Sequence, residues 1–161
     1  MKNSAEEIKT NVMRVLEQKK IPYVSHVCEQ AEGLTGVEIA NRLGEDPAKA
    51  FKTLVTTGAS KTHYVFIIPV AMELALKKAA KCAGEKSIVM LPQKELLPLT
   101  GYVHGGCSPV GVKKYFRTFI HESALLQETI CVSGGKIGVQ VELKLEDLKK
   151  VVRIETADVA E

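Results

Sequence analysis

The chain has 161 residues, of which 45% are hydrophobic and 25% charged. This composition excludes fibrous and disordered proteins and predicts a single globular domain over residues 1–161. The net charge of +3 comes from 22 basic and 19 acidic residues dispersed along the sequence, which permits contact with RNA but does not indicate a duplex-DNA binder.

Local signals divide the chain into short helices and strands. Ser4 and Glu7 resemble a capping box at a helix start, and Thr35 and Glu38 form a second one. The predicted helices run from Ser4 to about Lys20, between Thr35 and Gly44, over 72–83 and over 145–152, with helical turns at 46–47 and from Pro92. The predicted strands are at 21–27, 51–57, 62–70, 87–91, 117–121, 128–132 and 138–143, and a tail begins at Val159.

The strands come in runs and do not alternate strictly with helices. Residues 58–61 form a turn between two apolar runs and predict an antiparallel hairpin, and residues 133–137 join the last two long strands. This order predicts an α+β fold with a mixed, mainly antiparallel twisted sheet or partial barrel and flanking helices.

Lys52 lies inside the apolar strand at 51–57. A lysine in such a run is costly to desolvate unless its ammonium reaches water, an anion or a functional cleft. Lys52 is therefore a candidate contact for an anion or a carbonyl group. The alternative is a strand lysine whose stem packs and whose ammonium extends to solvent.

Two glycine-bearing loops, at residues 101–109 and 133–138, offer backbone donors of the kind that hold phosphates and oxyanions. Gly105 and Gly106 allow the backbone to approach a ligand closely, and Ser108 could donate its hydroxyl. The alternative is a pair of structural turns. Lys113 and Lys114 follow the first loop, where they either form a solvated surface or guide a nucleic-acid backbone.

Cys107 invites a second hypothesis, in which its thiol is a nucleophile and His104 or Lys52 is the base. A partly buried free thiol is the alternative. The four cysteines show no CxxC spacing and no two histidines lie four residues apart, which disfavours a metal site. Neither loop has a nucleotide-binding fingerprint, so we expect no metal and no cofactor.

Targeting signals are also missing from the sequence. No apolar run approaches the roughly 20 residues that a membrane span needs, and the first residues lead directly into a charged helix. We therefore expect a cytoplasmic protein with free thiols that does not bind a membrane.

The motifs, taken in order, resemble those of the YbaK/EbsC family of aminoacyl-tRNA deacylases, which are related to the editing domain of bacterial prolyl-tRNA synthetases. The resemblance extends over nearly the whole chain. It rests on Phe51–Leu54 (Phe-Lys-Thr-Leu), Leu76–Ala80, Thr100–Tyr102 followed by Gly105–Pro109, and Ser133–Lys136.

The resemblance implies an enzyme that acts in trans to remove cysteine mischarged onto tRNA(Pro). The cysteinyl thiol would attack its own ester and leave as a thiolactone. Lys52 matches the essential lysine of the family. The substrate-binding positions implied by the family or by the two loops are Thr35, Thr53, Gly105, Gly106, Ser108, Ser133, Gly134 and Gly135. The expected partner is the CCA end of an aminoacyl-tRNA, with prolyl-tRNA synthetase as a second candidate.

Four positions depart from the well-studied members of the family. Cys28 replaces Tyr, Thr35 replaces Phe, Ile137 replaces Arg and Gln140 replaces Asp, which leaves the preferred amino acid open. Alanyl-tRNA(Pro) is therefore a rival substrate. A non-catalytic module that binds aminoacyl-tRNA or a synthetase is the alternative from another functional class, although Lys52 favours the enzyme.

Overall fold

The computed structural model describes residues 8–161, so the predicted capping box at Ser4 and Glu7 lies outside the described residues. The first described helix begins instead after Thr10, whose hydroxyl oxygen accepts a hydrogen bond from the Met13 N–H at 3.2 Å. The second capping box is confirmed. The Thr35 hydroxyl accepts from the Glu38 N–H at 3.1 Å, and the Glu38 carboxylate accepts from the Thr35 N–H at 2.9 Å.

Five α-helices and eight strands make up the described part of the chain. The helices are α1 (Asn11–Gln18), α2 (Gly36–Arg42), α3 (Leu76–Ala83), α4 (Gln93–Thr100) and α5 (Leu145–Val151), with a 3₁₀ helix at Glu122–Leu126. The strands are β1 (Val24–Val27), β2 (Phe51–Gly58), β3 (His63–Pro69), β4 (Ile88–Met90), β5 (Arg117–His121), β6 (Ile130–Ser133), β7 (Val139–Leu143) and β8 (Ile154–Ala157). Over residues 8–161, every helix is too short or too polar to cross a lipid bilayer.

The strands form two sheets. In the smaller one, β7 lies between β1 and β6 and pairs antiparallel with both. The larger has the order β4-β2-β3-β5-β8, in which β2 pairs antiparallel with β3 and β4, whereas β5 runs parallel to β3 and β8. A parallel bridge between Ala50 and Cys131 joins the sheets. The predicted mixed, mainly antiparallel α+β fold is confirmed, and its barrel is not closed.

Two predictions were wrong: the start of helix α3 and the structure of the C-terminal segment. The helix predicted from Met72 begins at Leu76, because Leu74 forms an antiparallel bridge with Ala160 and the Ala75 N–H donates to the Val159 carbonyl at 2.8 Å. The predicted tail is therefore a buried part of the fold, with Val159 fully buried. Strand β8 was not predicted, and its parallel pairing with β5 is a tertiary contact without a local sequence signal.

Alternation along β2 and β3 divides their side chains between two cores. On one face, Phe51 and Val55 belong to an inner core that also contains side chains of α1, β6 and β7. On the other face, Phe66 and Ile68 pack with α3 and the C-terminal segment in an outer core. Since residues two apart on a strand share a face, the faces of β2 decide which of its polar side chains reach solvent.

Gly138, at the end of the β6–β7 connection, holds the smaller sheet against the segment after β1. Its φ is +82°, and an added Cβ would lie 2.5 Å from the Cys28 carbonyl oxygen. Gly33 has a similar φ of +81° but open space around the same position. An alanine at either position would therefore have the same backbone strain, but only the alanine at position 138 would also clash with neighbouring atoms.

We expect Gly138→Ala to lower the free energy of unfolding by ~3 kcal/mol or more, because the clash adds to a left-handed strain of about 1–2 kcal/mol. Gly33→Ala should lower it only by about the strain alone. Urea denaturation of both variants measures the difference. Equal losses would show that the β6–β7 connection is not held tightly against Cys28.

Candidate active site

Lys52 lies on the outer face of β2, opposite in register to Ile68. Its neighbours Phe51 and Val55 belong to the other face, where they enter the inner core. Lys52 is partly buried, and within residues 8–161 no carboxylate forms an ion pair with its ammonium. A partly buried cation without a counter-ion is available to an external anion.

The contact between the two sheets relates the face that carries Lys52 to the face that carries Ser133. Ala50 and Cys131 form a parallel bridge, and the Cys131 N–H donates to the Lys49 carbonyl at 3.0 Å. Two residues further along each strand, the same register brings Lys52 and Ser133 to one face. The Ser133 hydroxyl oxygen accepts from the Gly135 N–H at 3.1 Å, which leaves its own O–H free to donate.

The outer face of the smaller sheet carries a polar cluster centred on Glu142. One carboxylate oxygen lies 2.7 Å from His26 Nε2, and the other lies 2.5 Å from Lys49 Nζ and accepts from the Thr129 hydroxyl at 2.5 Å. These hydrogen bonds, from Lys49 first and then Thr129 and His26, lower the pKa of Glu142 to about 2. Glu142 is therefore ionised at neutral pH and its charge is neutralised by Lys49.

Glu45 reaches the same cluster from the end of α2. The chain leaves the helix at Gly44, and the Glu45 N–H donates back to the Ala40 carbonyl at 2.8 Å. Burial raises the pKa of Glu45, and the Cys131 thiol lies 3.7 Å from Glu45 Oε2. Within the described chain, Glu45 Oε1 and Gln140 Oε1 are buried acceptors that receive no hydrogen bond. The outer face of the smaller sheet therefore carries two buried acceptor oxygens without a donor at hydrogen-bond distance among the described residues, although the Gln140 side chain still acts to lower the pKa of Glu45.

Three atoms of the cluster could ligate a metal ion. Each of His26, Cys131 and Glu142 offers one ligand atom, and these three atoms lie within 4.8 Å of one another. However, burial and the nearby carboxylates raise the pKa of Cys131, so its thiol is protonated at neutral pH, and Lys49 already supplies the positive charge beside Glu142. A metal ion would have to displace both the proton and the lysine, and we read the cluster as a hydrogen-bonded network.

The two glycine loops pack against each other. A Cβ added to Gly106 would lie 3.1 Å from the Ile137 nitrogen and 3.2 Å from the Lys136 carbonyl carbon, so the first loop rests on the backbone of the second. Gly105 is exposed at this junction, whereas Gly106 is buried. The loops therefore meet beyond the end of β6, on the side where Ser133 begins the second loop.

The remaining predicted site residues lie away from the open face. Ser108 is fully buried, and its hydroxyl oxygen accepts from the Val110 N–H at 3.2 Å, which is a structural contact. Thr53 lies on the face of β2 opposite to Lys52, with a buried hydroxyl that has no partner among the described residues. Thr35 is exposed and caps α2. Ser108 and Thr53 therefore do not share the face of β2 that carries Lys52, and Thr35 has a structural role as a helix cap.

Cys107 faces the inner core and is almost fully buried. Burial raises the pKa of its thiol to about 12, so the reactive thiolate is scarce at neutral pH. This environment does not suit the nucleophile of the second hypothesis.

No local sequence signal marks Glu45, Lys49 and Glu142 as site residues. Glu142 and His26 are 116 positions apart, and only the register of β1 against β7 brings them together. The available signal was the alternation along β7, which leaves Gln140 and Glu142 on one face while Val139 and Val141 enter the core.

Comparison with known proteins gives both a family and a fold. A family model of the aminoacyl-tRNA editing domain matches residues 30–151. EbsC of Enterococcus faecalis, whose name proposes that it is a Cys-tRNA(Pro)/Cys-tRNA(Cys) deacylase, is 42% identical over 152 residues, which cover 94% of this chain and 93% of EbsC.

Solved structures show the same fold at lower identity. A crystal structure of a protein proposed as a trans-editing enzyme for prolyl-tRNA synthetase aligns with a TM-score of 0.81 at 23% identity, covering 100% of this chain and 99% of that one. The crystal structure of a hypothetical protein aligns with a TM-score of 0.85 at 22% identity, covering 94% of this chain and 100% of that one.

The lowered pKa of Glu142 predicts a pH-dependent contribution to stability. Its pKa in the folded chain, about 2, is below the ordinary value of 4.5, so the contribution is complete above pH 4.5 and is lost as the pH falls towards 2. Glu142→Gln should therefore destabilise the protein by on the order of 2 kcal/mol at pH 7, and this difference should shrink between pH 4.5 and 3. Urea denaturation at several pH values measures it.

Glu128→Gln is the matched control, because Glu128 is exposed and forms no ion pair among residues 8–161. It should change stability by less than about 0.5 kcal/mol. A constant effect of Glu142→Gln across this pH range would contradict the assignment of Glu142 as the charged centre of the cluster.

Proposed function

The chain belongs to the aminoacyl-tRNA editing domain family, and from that membership we propose that it acts in trans as a deacylase that removes cysteine attached in error to tRNA(Pro). The name of EbsC supports both the reaction and the amino acid. The single observation that carries the proposal is Lys52, a partly buried ammonium in an apolar strand that has no carboxylate partner among the described residues.

Lys52 would act on the negative charge of the substrate. The 3′ end of an aminoacyl-tRNA offers a phosphate next to the terminal ribose and an ester carbonyl whose oxygen becomes negative during attack. A preorganised cation at that oxygen, or at the phosphate that fixes its position, accelerates the reaction without a protein nucleophile. The Ser133 hydroxyl and the N–H groups of the loop that follows would supply further donors.

The amino-acid end of the substrate would face Glu45 and Gln140. An aminoacyl ester carries an α-ammonium with three N–H donors. The two buried oxygens, Glu45 Oε1 and Gln140 Oε1, lack donors in the described chain, and pairing them with an ammonium would relieve the cost of leaving them unsatisfied. Both oxygens are buried, so the side chains must part slightly as the ligand enters.

The cysteinyl substrate would supply its own nucleophile. Its thiol loses a proton, the sulfur attacks the ester carbonyl carbon, and a C–S bond forms while the C–O bond to the ribose breaks. The ribose oxygen takes up a proton, and the products are deacylated tRNA and a four-membered thiolactone, which water opens to free cysteine. In this scheme Cys107 has no chemical role, in agreement with its burial and raised pKa.

We expect the purified protein to deacylate Cys-tRNA(Pro), and Lys52→Ala to reduce the rate ~10²–10³-fold, which is typical for the loss of one transition-state contact. Circular dichroism should show an unchanged fold, because β2 accepts alanine on its outer face. Cys107→Ala is the control and should keep at least half of the activity. The measurement is release of radiolabelled amino acid under single-turnover conditions.

Parallel assays with alanyl- and seryl-tRNA(Pro) test substrate assistance. Both esters lack the thiol, so the proposal predicts that their rates fall by at least tenfold below that of the cysteinyl ester. Rapid cleavage of the alanyl ester would replace cysteine with alanine as the substrate and require a water nucleophile. Near-normal turnover by Lys52→Ala, or a folded but inactive Cys107→Ala, would refute the mechanism.

A further inference from the structure

A second groove lies between the first glycine loop and the C-terminal end of α5. We name it the Tyr115 groove; its volume is about 420 Å³ and its lining residues are Pro109, Gly111, Val112, Tyr115, Val151, Val152 and Arg153. None of these residues belongs to the cleft around Lys52. Arg153 is the one charged residue of this lining, and Lys113 and Lys114 lie between the lining residues Val112 and Tyr115 in sequence.

The two chain segments that border the Tyr115 groove contain no acidic residue. Residues 109–121 and 148–154 include neither Asp nor Glu, although the whole chain has 19 acidic residues. The cations of these segments are Lys113, Lys114, Arg117, Lys149, Lys150 and Arg153. A net charge of only +3 is thus distributed unevenly, with a local excess of positive charge at this groove.

Most of these cations are not neutralised by the protein. Arg117 pairs with Glu155 at 2.6 Å and Lys150 with Asp147 at 2.8 Å. The other four form no ion pair with any described residue; they are Lys113, Lys114, Lys149 and Arg153. Lys113 lies near Gly101 and Lys114 lies 6.0 Å from the centre of the Phe116 ring. Unpaired cations in the segments that border a groove attract an anion with several charges, such as a phosphodiester backbone.

Tyr115 adds a surface on which a base can stack. Its side chain is 47% exposed, and its hydroxyl donates to the Arg153 carbonyl at 3.0 Å. The hydrogen bond fixes the ring at the rim of the groove, so little conformational entropy is lost when a base stacks on it. An exposed aromatic ring among cations is typical of sites for single-stranded nucleic acid.

Tyr102 packs between the segment that forms the Tyr115 groove and the second glycine loop. The Tyr102 hydroxyl donates to the Val110 carbonyl at 2.5 Å, next to the groove residues Pro109 and Gly111. On its other side, the Tyr102 ring lies 3.3 Å from the position that a Cβ on Gly135 would take. Gly135 is two residues from Ser133, so the segment that forms the groove and the second glycine loop pack on the same buried ring.

We propose that the Tyr115 groove binds the backbone and one unpaired base of the acceptor end of the substrate RNA. Lys113 and Lys114 contact phosphates, and the Tyr115 ring stacks on the base. The identity of the RNA as an aminoacyl-tRNA rests on the function proposed above, whereas the binding of an RNA backbone follows from the charge and shape of the groove alone.

Binding is tested first, with a fluorescently labelled, uncharged RNA hairpin that reproduces an acceptor stem and ends in CCA. We expect Lys113→Gln/Lys114→Gln to weaken binding about tenfold at low salt and to reduce the slope of log K against log salt by about 2. The matched control is Lys77→Gln/Lys81→Gln, which removes two exposed lysines from α3. It should change the affinity less than twofold.

Catalysis provides a second readout. For cysteinyl-tRNA, Lys113→Gln/Lys114→Gln should raise KM about tenfold and change kcat less than twofold, while cleavage of 3′-cysteinyl-adenosine, which has no backbone, stays unchanged. Tyr115→Ala should raise KM for the tRNA several-fold, and Tyr115→Phe, which keeps the ring, should have less than half of that effect.

An unaltered affinity and salt slope in the lysine variant would overturn the proposal, as would an equal loss of activity on the adenosine ester. If the wild-type protein cleaves no ester at all, the proposed function fails, but the hairpin titration still decides whether the groove binds RNA. Equal weakening by the α3 control would mean non-specific attraction and would also reject the groove.

Discussion

The contact between the start of β2 and β6 determines the architecture of the candidate site. Ala50 contacts two different segments of the chain. Its carbonyl accepts a hydrogen bond from the Val70 N–H at 2.9 Å, and it forms the parallel bridge to Cys131 that joins the two sheets. Next to this junction Lys49 reaches Glu142, and Lys52 lies two residues further along the strand from Ala50. A shift of one residue in this register would turn Lys52 into the inner core, where an unpaired ammonium is unfavourable.

The charges of the cleft are arranged so that one cation remains available. Lys49 and Glu142 neutralise each other, His26 and Thr129 complete the hydrogen bonds of that carboxylate, and burial raises the pKa of Glu45. Lys52 lacks such a partner among residues 8–161. The proposed substrate would therefore find free positive charge at Lys52 and acceptor oxygens at Glu45 and Gln140, which matches the two ends of an aminoacyl ester.

Local signals were sufficient for part of this structure. The capping box at Thr35 and the β2–β3 hairpin depend on neighbours in sequence, and both were predicted. Lys52 could be identified because its cost in an apolar strand is visible locally. Strand β8 and the cluster around Glu142 depend on pairing between distant segments, and the register of β1, β6 and β7 is not encoded in any short stretch. The sequence therefore predicted Lys52 but not the cluster of Glu45, Lys49 and Glu142.

The central claim is that the aminoacyl end of RNA binds on the outer face, between Lys52 and the loop that begins at Ser133. A ¹⁵N-labelled sample titrated with 3′-cysteinylamido-3′-deoxyadenosine, in which a stable amide replaces the ester, tests it most directly by NMR. The account predicts saturable backbone shifts that are largest at Lys52, Ser133 and Gly134, together with changes at Gln140. Shifts confined to other parts of the chain, with these residues unaffected, would contradict it.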